Sequence, residues 1–356
     1  MDFFDIIQRP KINVEEKVLK KKIKGKNILI TGGGGSIGGE LCLEIIKHNP
    51  KKLYVLENSE ISLFNIVNRI KKNERNNFSK LIPVLGDCND YCFLKNFFSN
   101  RTIDEIYHAA AYKHVNFGEE NSNSMIKNNV FGTKSIIEFS IYKNVKNFIF
   151  ISSDKAVNPS SVLGYSKKLG EKLIKYYYSK NLNIKTNYTI VRFGNVIGSS
   201  GSVIPIFINQ VANKVPVTVT SSKAKRYFMS TSEAVKLVIN SSYLNNKGVK
   251  IYALDMGDQI NILWIAKRII RLSGKTIKNN KNLNGDIEIK FTGLNKGEKE
   301  VEEIVLGNNL VTTKHKNIFE CNEKIGIKYL YKDLKKLENL LKNKIIKKSL
   351  FNKLHI

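Results

Sequence analysis

The sequence predicts an α/β fold in which a doubly wound parallel sheet carries a smaller C-terminal lobe. Short apolar runs alternate with helix-length segments over the first half of the chain. A glycine cluster stands between the first such run and the helical pattern that follows it, and beyond Asn195 the alternation loosens into Gly- and Ser-rich stretches. The runs are Ile28 to Thr31, Lys52 to Leu56, Leu81 to Leu85, Glu105 to His108, Phe148 to Ser152 and Thr189 to Phe193. Apolar runs of this length suit strands buried on both faces, and parallel strands need the crossovers that the intervening segments supply.

Residues 1–25, rich in lysine from Lys17 onward, precede the first strand as an arm of helix plus linker. The sheet-forming domain is read as 26–195. Beyond it come a helix over Val203 to Asn213, a strand at Val217 to Thr220, a strand at Lys250 to Leu254, a helix over Ile262 to Leu272 and a strand at Ile287 to Phe291. These are assigned to a smaller lobe, 196–330, folded over the carboxyl edge of the sheet, with some chain returning to the main sheet. The tail, 331–356, contains a lysine-rich amphipathic segment, Lys332 to Lys347, read as a solvated surface helix. No internal repeat is evident.

A chain of 356 residues with 42% hydrophobic residues can bury one substantial core. Its 59 basic and 31 acidic residues leave a formal charge of +28, which raises the question of a polyanionic partner. The lysines are spread along the chain beside Asn and Ile rather than gathered with interleaved aromatics, so they are read as solvated surface and no nucleic-acid partner is expected. Cys42, Cys88, Cys92 and Cys321 show neither metal-ligand pairing nor a disulfide framework, so no metal and a reduced, cytoplasmic setting are expected. No stretch approaches the roughly 20 apolar residues of a membrane span. Met1-Asp2-Phe3-Phe4-Asp5 lacks a basic lead-in to an apolar segment, so neither secretion nor membrane spanning is expected.

The run Thr31-Gly32-Gly33-Gly34-Gly35-Ser36-Ile37-Gly38 follows the first strand directly and opens a helix. Gly32 permits the tight turn, Gly35 lets backbone approach a pyrophosphate, and Gly38 lets helix and strand pack closely. Ser36 and Ile37 begin the helix whose N-terminus faces the phosphates. The second strand, Leu53-Tyr54-Val55-Leu56, ends at Glu57, 19 positions past Gly38, where an acid can hold both adenosine ribose hydroxyls. A carboxylate there repels a 2′-phosphate, so this Rossmann-type signal favours NAD over NADP. Asp87, closing the third strand, is placed for the adenine amino group, or for a turn of its own. Ala109 and Ala110, after the fourth strand, complete the expected cofactor contacts.

Four further runs bear on the reaction: His108-Ala109-Ala110-Ala111-Tyr112-Lys113-His114-Val115; Asn128-Asn129-Val130-Phe131-Gly132-Thr133; Ser153-Asp154-Lys155-Ala156-Val157-Asn158-Pro159; and Arg192-Phe193-Gly194-Asn195, continuing to Pro205. With Arg226-Tyr227-Phe228-Met229 and Gly293-Leu294-Asn295-Lys296-Gly297-Glu298-Lys299, they make the chain resemble the UDP-N-acetylglucosamine 4,6-dehydratases over about residues 8 to 306. The likeness is greatest to the catalytic domain of the membrane-anchored branch; the lead-in Gln8-Arg9-Pro10 is kept and none of that branch's membrane helices is present.

The resemblance implies NAD-dependent conversion of a UDP-N-acetylhexosamine to its 4-keto-6-deoxy derivative by a homo-oligomer. Such a reaction needs a transient ketone at carbon 4, a base for the carbon-5 proton and an acid for the 6-hydroxyl. The likeness assigns Lys167 to the nicotinamide ribose, Ser153 to the 4-hydroxyl, Asp154 to the acid and Lys155 to the base, with the last two roles open to exchange. Taken alone, Asp154 and Lys155 equally suit a capping pair. A lysine is a base near neutrality only if its pKa is depressed. Lys113, His114, Asn195, Arg226, Glu298 and Lys299 resemble nucleotide-sugar contacts, although His114 also suits a core position and the family's Arg-Pro is replaced by Asn295-Lys296.

The superfamily's tyrosine, four residues before the lysine, is Leu163 here. Tyr165 is no simple substitute: two residues before Lys167 is a rotation of about 200° on a helix, against about 40° for four residues. Two rivals stand beside the dehydratase reading. A 4-epimerase or 4-keto reductase would use the same cofactor fold without expelling water, and a silent dinucleotide sensor would explain Leu163.

Overall fold

The computed structural model describes residues 6–7, 12, 14, 16–181, 185–199, 201–280, 282–307, 309–343 and 346–354. The Gln8-Arg9-Pro10 lead-in lies outside them. The arm contributes a helix, Glu16–Ile23, which buries Leu19 and Ile23.

Nine strands form the main sheet. In chain order they are β1 (Asn27–Thr31), β2 (Lys52–Glu57), β3 (Leu81–Leu85), β4 (Glu105–His108), β5 (Asn147–Ile151), β6 (Asn187–Arg192), β7 (Val249–Leu254), β8 (Leu310–Thr312) and β9 (Ile318–Cys321). Their spatial order is β8-β9-β7-β6-β5-β4-β1-β2-β3. From β3 to β7 the neighbours pair parallel, whereas β9 pairs antiparallel with both β7 and β8. The chain leaves β1 toward β2 and β3 on one side and resumes at β4 on the other, which opens a crevice at the carboxyl ends of β1 and β4.

Period-two alternation divides the inner strands between two cores. Ile28, Ile30, Val55, Ile149 and Ile151 face one, while Leu29, Leu56, Phe148 and Phe150 face the other. The first is covered by helices Ser36–Lys47, Glu60–Asn73 and Thr231–Ser241, and the second by Gly132–Tyr142 and Val162–Lys180. A third core lies in the lobe. There helices Val203–Ala212 and Ile262–Leu272 pack Phe207 and Ile265 against a three-stranded sheet formed by Ile277–Lys278, Ile287–Phe291 and Val217–Val219.

Two expectations need correction. The strand at Lys250 to Leu254, read with the lobe, pairs with β6 in the main sheet, because an apolar run by itself does not say which sheet it joins. The C-terminal helix, Leu330–Asn343, is not simply solvated: Leu330, Leu334 and Leu337 enter the core at helical spacing. No helix among the described residues is long and apolar enough to cross a membrane.

Candidate active site

A cavity of about 940 Å³ lies above the carboxyl ends of β1, β4 and β5, closed on its far side by the lobe. At one end is the glycine turn. Gly32 has φ +67, and a Cβ there would stand 2.6 Å from Ala110 Cα; at Gly38 it would stand 2.0 Å from the Gly32 carbonyl oxygen. Gly35 is the N-cap of helix Ser36–Lys47, and no side chain caps that helix. Glu57 Oε2 accepts from the Gly34 N–H at 2.9 Å, while Oε1 accepts from the backbone N–H groups of Asn58 and Ser59. A backbone cradle that side chains would fill, an uncapped helix end and a carboxylate fixed at the end of β2 fit the pyrophosphate and ribose of a dinucleotide.

Gly35, Ser36, Ile37, Gly38 and Ala109 line the cavity; Gly32, Glu57, Asp87 and Ala110 do not. Ala109 and Ala110 donate to Thr31, which carries the turn after β4 close to Gly32. Asp87 Oδ1 accepts from both N–H groups of Asn89, the turn-forming alternative. Lys113, expected on the sugar side, has its amine 3.4 Å from the Ser36 hydroxyl, at the phosphate end. Burial lowers its pKa. His114 lines the cavity and is lowered by burial and then by Lys113. Asn129 clamps this loop: its amide bonds both backbone groups of Tyr112 and the Ser166 hydroxyl.

Helix Val162–Lys180 brings Leu163 and Lys167 to the cavity wall one turn apart. Lys167 Nζ donates to the Ile151 carbonyl at 2.7 Å, and burial pushes its pKa down to about 8 against the opposing charge of Glu171. Tyr165 is not in the wall; its ring stacks on Phe351 at 4.7 Å, as the helical rotation requires.

At the end of β5, Ser153 caps a short turn, accepting from the Lys155 N–H and donating to Asp154 Oδ1. Asp154 is completely buried, its Oδ1 accepts from Lys155 Nζ at 3.0 Å, and it forms no part of the cavity wall. Ser153 and Lys155 do line it. Lys155 Nζ is also 3.5 Å from Asn195 Oδ1 and 3.7 Å from Glu302 Oε1. Burial alone would lower the Lys155 ammonium, but Asp154 and Glu302 outweigh it and the net shift is upward. The depressed lysine that the base assignment demands is therefore not what these neighbours produce.

Glu302 escaped the sequence reading. It is 4% exposed, lines the cavity, and has its pKa raised chiefly by burial, with Lys155 opposing. The available signal was Glu298, Glu300 and Glu302 at alternate places in a basic chain. Arg226 organises this segment, donating to Glu298 Oε1 and to the carbonyls of Lys225, Lys299 and Glu300. Arg226, Glu298 and Asn195 reach the cavity; Lys299 does not, because its amine donates to the Val157 carbonyl. Among the described residues no group of three His, Cys, Asp or Glu side chains could hold a metal ion.

The model of the polysaccharide biosynthesis protein family matches residues 28–323. The chain belongs to that family. It is 38% identical over 306 residues to the capsular polysaccharide biosynthesis protein CapD of Staphylococcus aureus, covering 86% of this chain and 49% of that one. The chain thus spans about half the length of this family member. A UDP-N-acetylglucosamine 4,6-dehydratase (inverting) of Campylobacter jejuni is 34% identical, covering 61% of this chain and 63% of its own. A UDP-glucose 4-epimerase of Rickettsia bellii is 31% identical, covering 79% and 77%. Among solved structures, Pen from Bacillus thuringiensis superposes with a TM-score of 0.74 at 30% identity, over 86% of this chain and 92% of Pen. The nine-stranded, mostly parallel sheet with its small lobe is the architecture of the extended short-chain dehydrogenases, in keeping with that likeness.

Proposed function

We propose that the protein is an NAD-dependent dehydratase that converts UDP-N-acetylglucosamine to the 4-keto-6-deoxy sugar. The observation that carries this reading is Lys155, a charged amine in the cavity wall between two carboxylates, just beyond the carboxyl end of β5. Epimerisation at carbon 4 has no use for a proton donor toward a 6-hydroxyl; elimination does. When bound, NAD supplies the reversible oxidation at carbon 4 that acidifies the hydrogen on carbon 5.

The chain's residues take the remaining tasks. Ser153 orients the 4-hydroxyl, Lys167 holds the nicotinamide ribose, and Lys113 neutralises phosphate charge beside Ser36. Asn195, Arg226 and Glu298 meet the nucleotide sugar from the lobe. Because its neighbours keep Lys155 charged, it acts in this scheme as proton donor to the departing 6-hydroxyl, the role the resemblance gave to Asp154, while Asp154 fixes its charge and position.

The test is incubation with UDP-N-acetylglucosamine in deuterated water. The expected product is lighter by one water and carries deuterium at carbon 5. The Lys155→Ala variant should keep its NAD and lose about 100-fold or more in rate, the usual scale of general acid catalysis. Conversion without loss of water would instead establish the 4-epimerase, the reading that the likeness to the Rickettsia protein favours.

A further inference from the structure

We propose that Glu302 is the base that removes the carbon-5 proton, an inference resting on the dehydratase reading. Three carboxylates among the described residues bury an oxygen with no hydrogen-bond partner: Glu119 Oε2, Asp154 Oδ2 and Glu302 Oε2. Leaving such an acceptor unsatisfied costs about 1–3 kcal/mol, more for a charged group, so an orphaned carboxylate oxygen demands an explanation. Of the three residues only Glu302 belongs to the cavity wall.

The backbone fixes Glu302 from both sides. Val301 bridges Lys225 in parallel pairing, and Gln259 Nε2 donates to the Glu302 carbonyl at 2.7 Å. The carboxylate is thus delivered to the wall without spending Oε2 on a structural bond. Its other oxygen lies 3.7 Å from Lys155 Nζ, so acceptor and donor stand side by side on one rigid edge of the cavity. Burial raises the proton affinity of this carboxylate, which strengthens it as a base.

The step balances without any further reactant. Glu302 takes the proton from carbon 5 of the 4-keto sugar, and the electron pair of the C–H bond passes through the enolate into the carbon 5–carbon 6 double bond. The carbon 6–oxygen bond breaks with its pair, Lys155 protonates the oxygen, and water departs. Once carbon 6 has received the electron pair removed from carbon 4, the Glu302 carboxyl returns a proton to carbon 5. The proton released from the 4-hydroxyl at the oxidation passes to solvent, and solvent returns one to Lys155 after the water departs, so the net loss is one water.

The test compares holoenzyme of the natural sequence with Glu302→Gln and Glu302→Asp in deuterated water, following the near-ultraviolet absorbance of reduced nicotinamide and the mass of the product. The Gln variant should reduce its nicotinamide on meeting UDP-N-acetylglucosamine yet release product about 100-fold or more slowly. Asp should recover part of that loss, and equal NAD content and melting temperature will show that both variants are folded. Two results would overturn the assignment: product from the Gln variant at the natural rate, or equal loss of nicotinamide reduction and elimination with no recovery by Asp. Failure of the natural protein to dehydrate the sugar is a separate outcome that removes the dehydratase reading and this inference together.

Discussion

Gly38 shows how much of the cofactor site is written in single residues. Its missing side chain is a steric requirement, since a Cβ would stand 2.0 Å from the Gly32 carbonyl oxygen and the first strand–helix turn could not close. Gly38→Ala should therefore lose its dinucleotide and lower the melting temperature, with a cost of about 1–3 kcal/mol for the forced overpacking; absorbance of the bound nucleotide and calorimetry measure both. Lys155 and Lys167 were legible as cavity residues because both lie in runs that follow β5, whereas Glu57 stands at the end of β2 as expected but does not line the cavity. Glu302 was not legible, because its partner Lys155 is far away in sequence and only the folded chain brings them to 3.7 Å. Nor could sequence show that Lys299 turns to the Val157 carbonyl, a choice made by local geometry.

At the scale of elements, the main strands were readable from apolar runs because a strand buried on both faces tolerates little else. The third and fourth kept their expected ends and the others shifted by one or two residues, the usual latitude of such boundaries. The antiparallel pair β8 and β9 went unread: β8 is a three-residue edge strand with every residue exposed, so burial imposed no pattern on it. Helix Leu330–Asn343 was misjudged because its lysines advertise a solvated face while Leu330, Leu334 and Leu337 carry the docked one. Leu337 is fully buried, so Leu337→Ala should cost about 2–5 kcal/mol in urea unfolding. A change at exposed Lys336 on the same helix should stay within about 0.5 kcal/mol.

For the whole molecule, buried polar groups set the response to acid. His108 bridges Thr31 and Thr133 in the core, and burial, with a contribution from Lys167, pushes its pKa down to about 3. In the unfolded chain the imidazole titrates near 6.5, so below that pH the unfolded state binds a proton that the native state refuses. This contribution to stability is complete above about pH 6.5 and falls as the pH drops toward 3, with a slope approaching about 1.4 kcal/mol per pH unit. Urea unfolding at pH 7 and pH 5 should show the loss, and His108→Asn should flatten it. The buried Arg192 joins Glu171 to Glu323, tying β6 to the chain just beyond β9. The carboxyl of Glu171 is raised by burial but brought below its ordinary value by Arg192, so its contribution disappears only at lower pH, as acid overcomes the pair.

The cavity wall is assembled from separate stretches of chain, beginning near Gly34, Ala109, Ile151, Leu163, Phe193, Thr218 and Asn295, with Arg226 and Ile262 added between the last two. None of these stretches holds the site alone. Recognition is thereby made a property of the finished topology: any molecule that settles there favours the native state over every partly unraveled one, and tightens the hold of lobe upon sheet by mass action. Occupancy and foldedness become two readings of a single equilibrium.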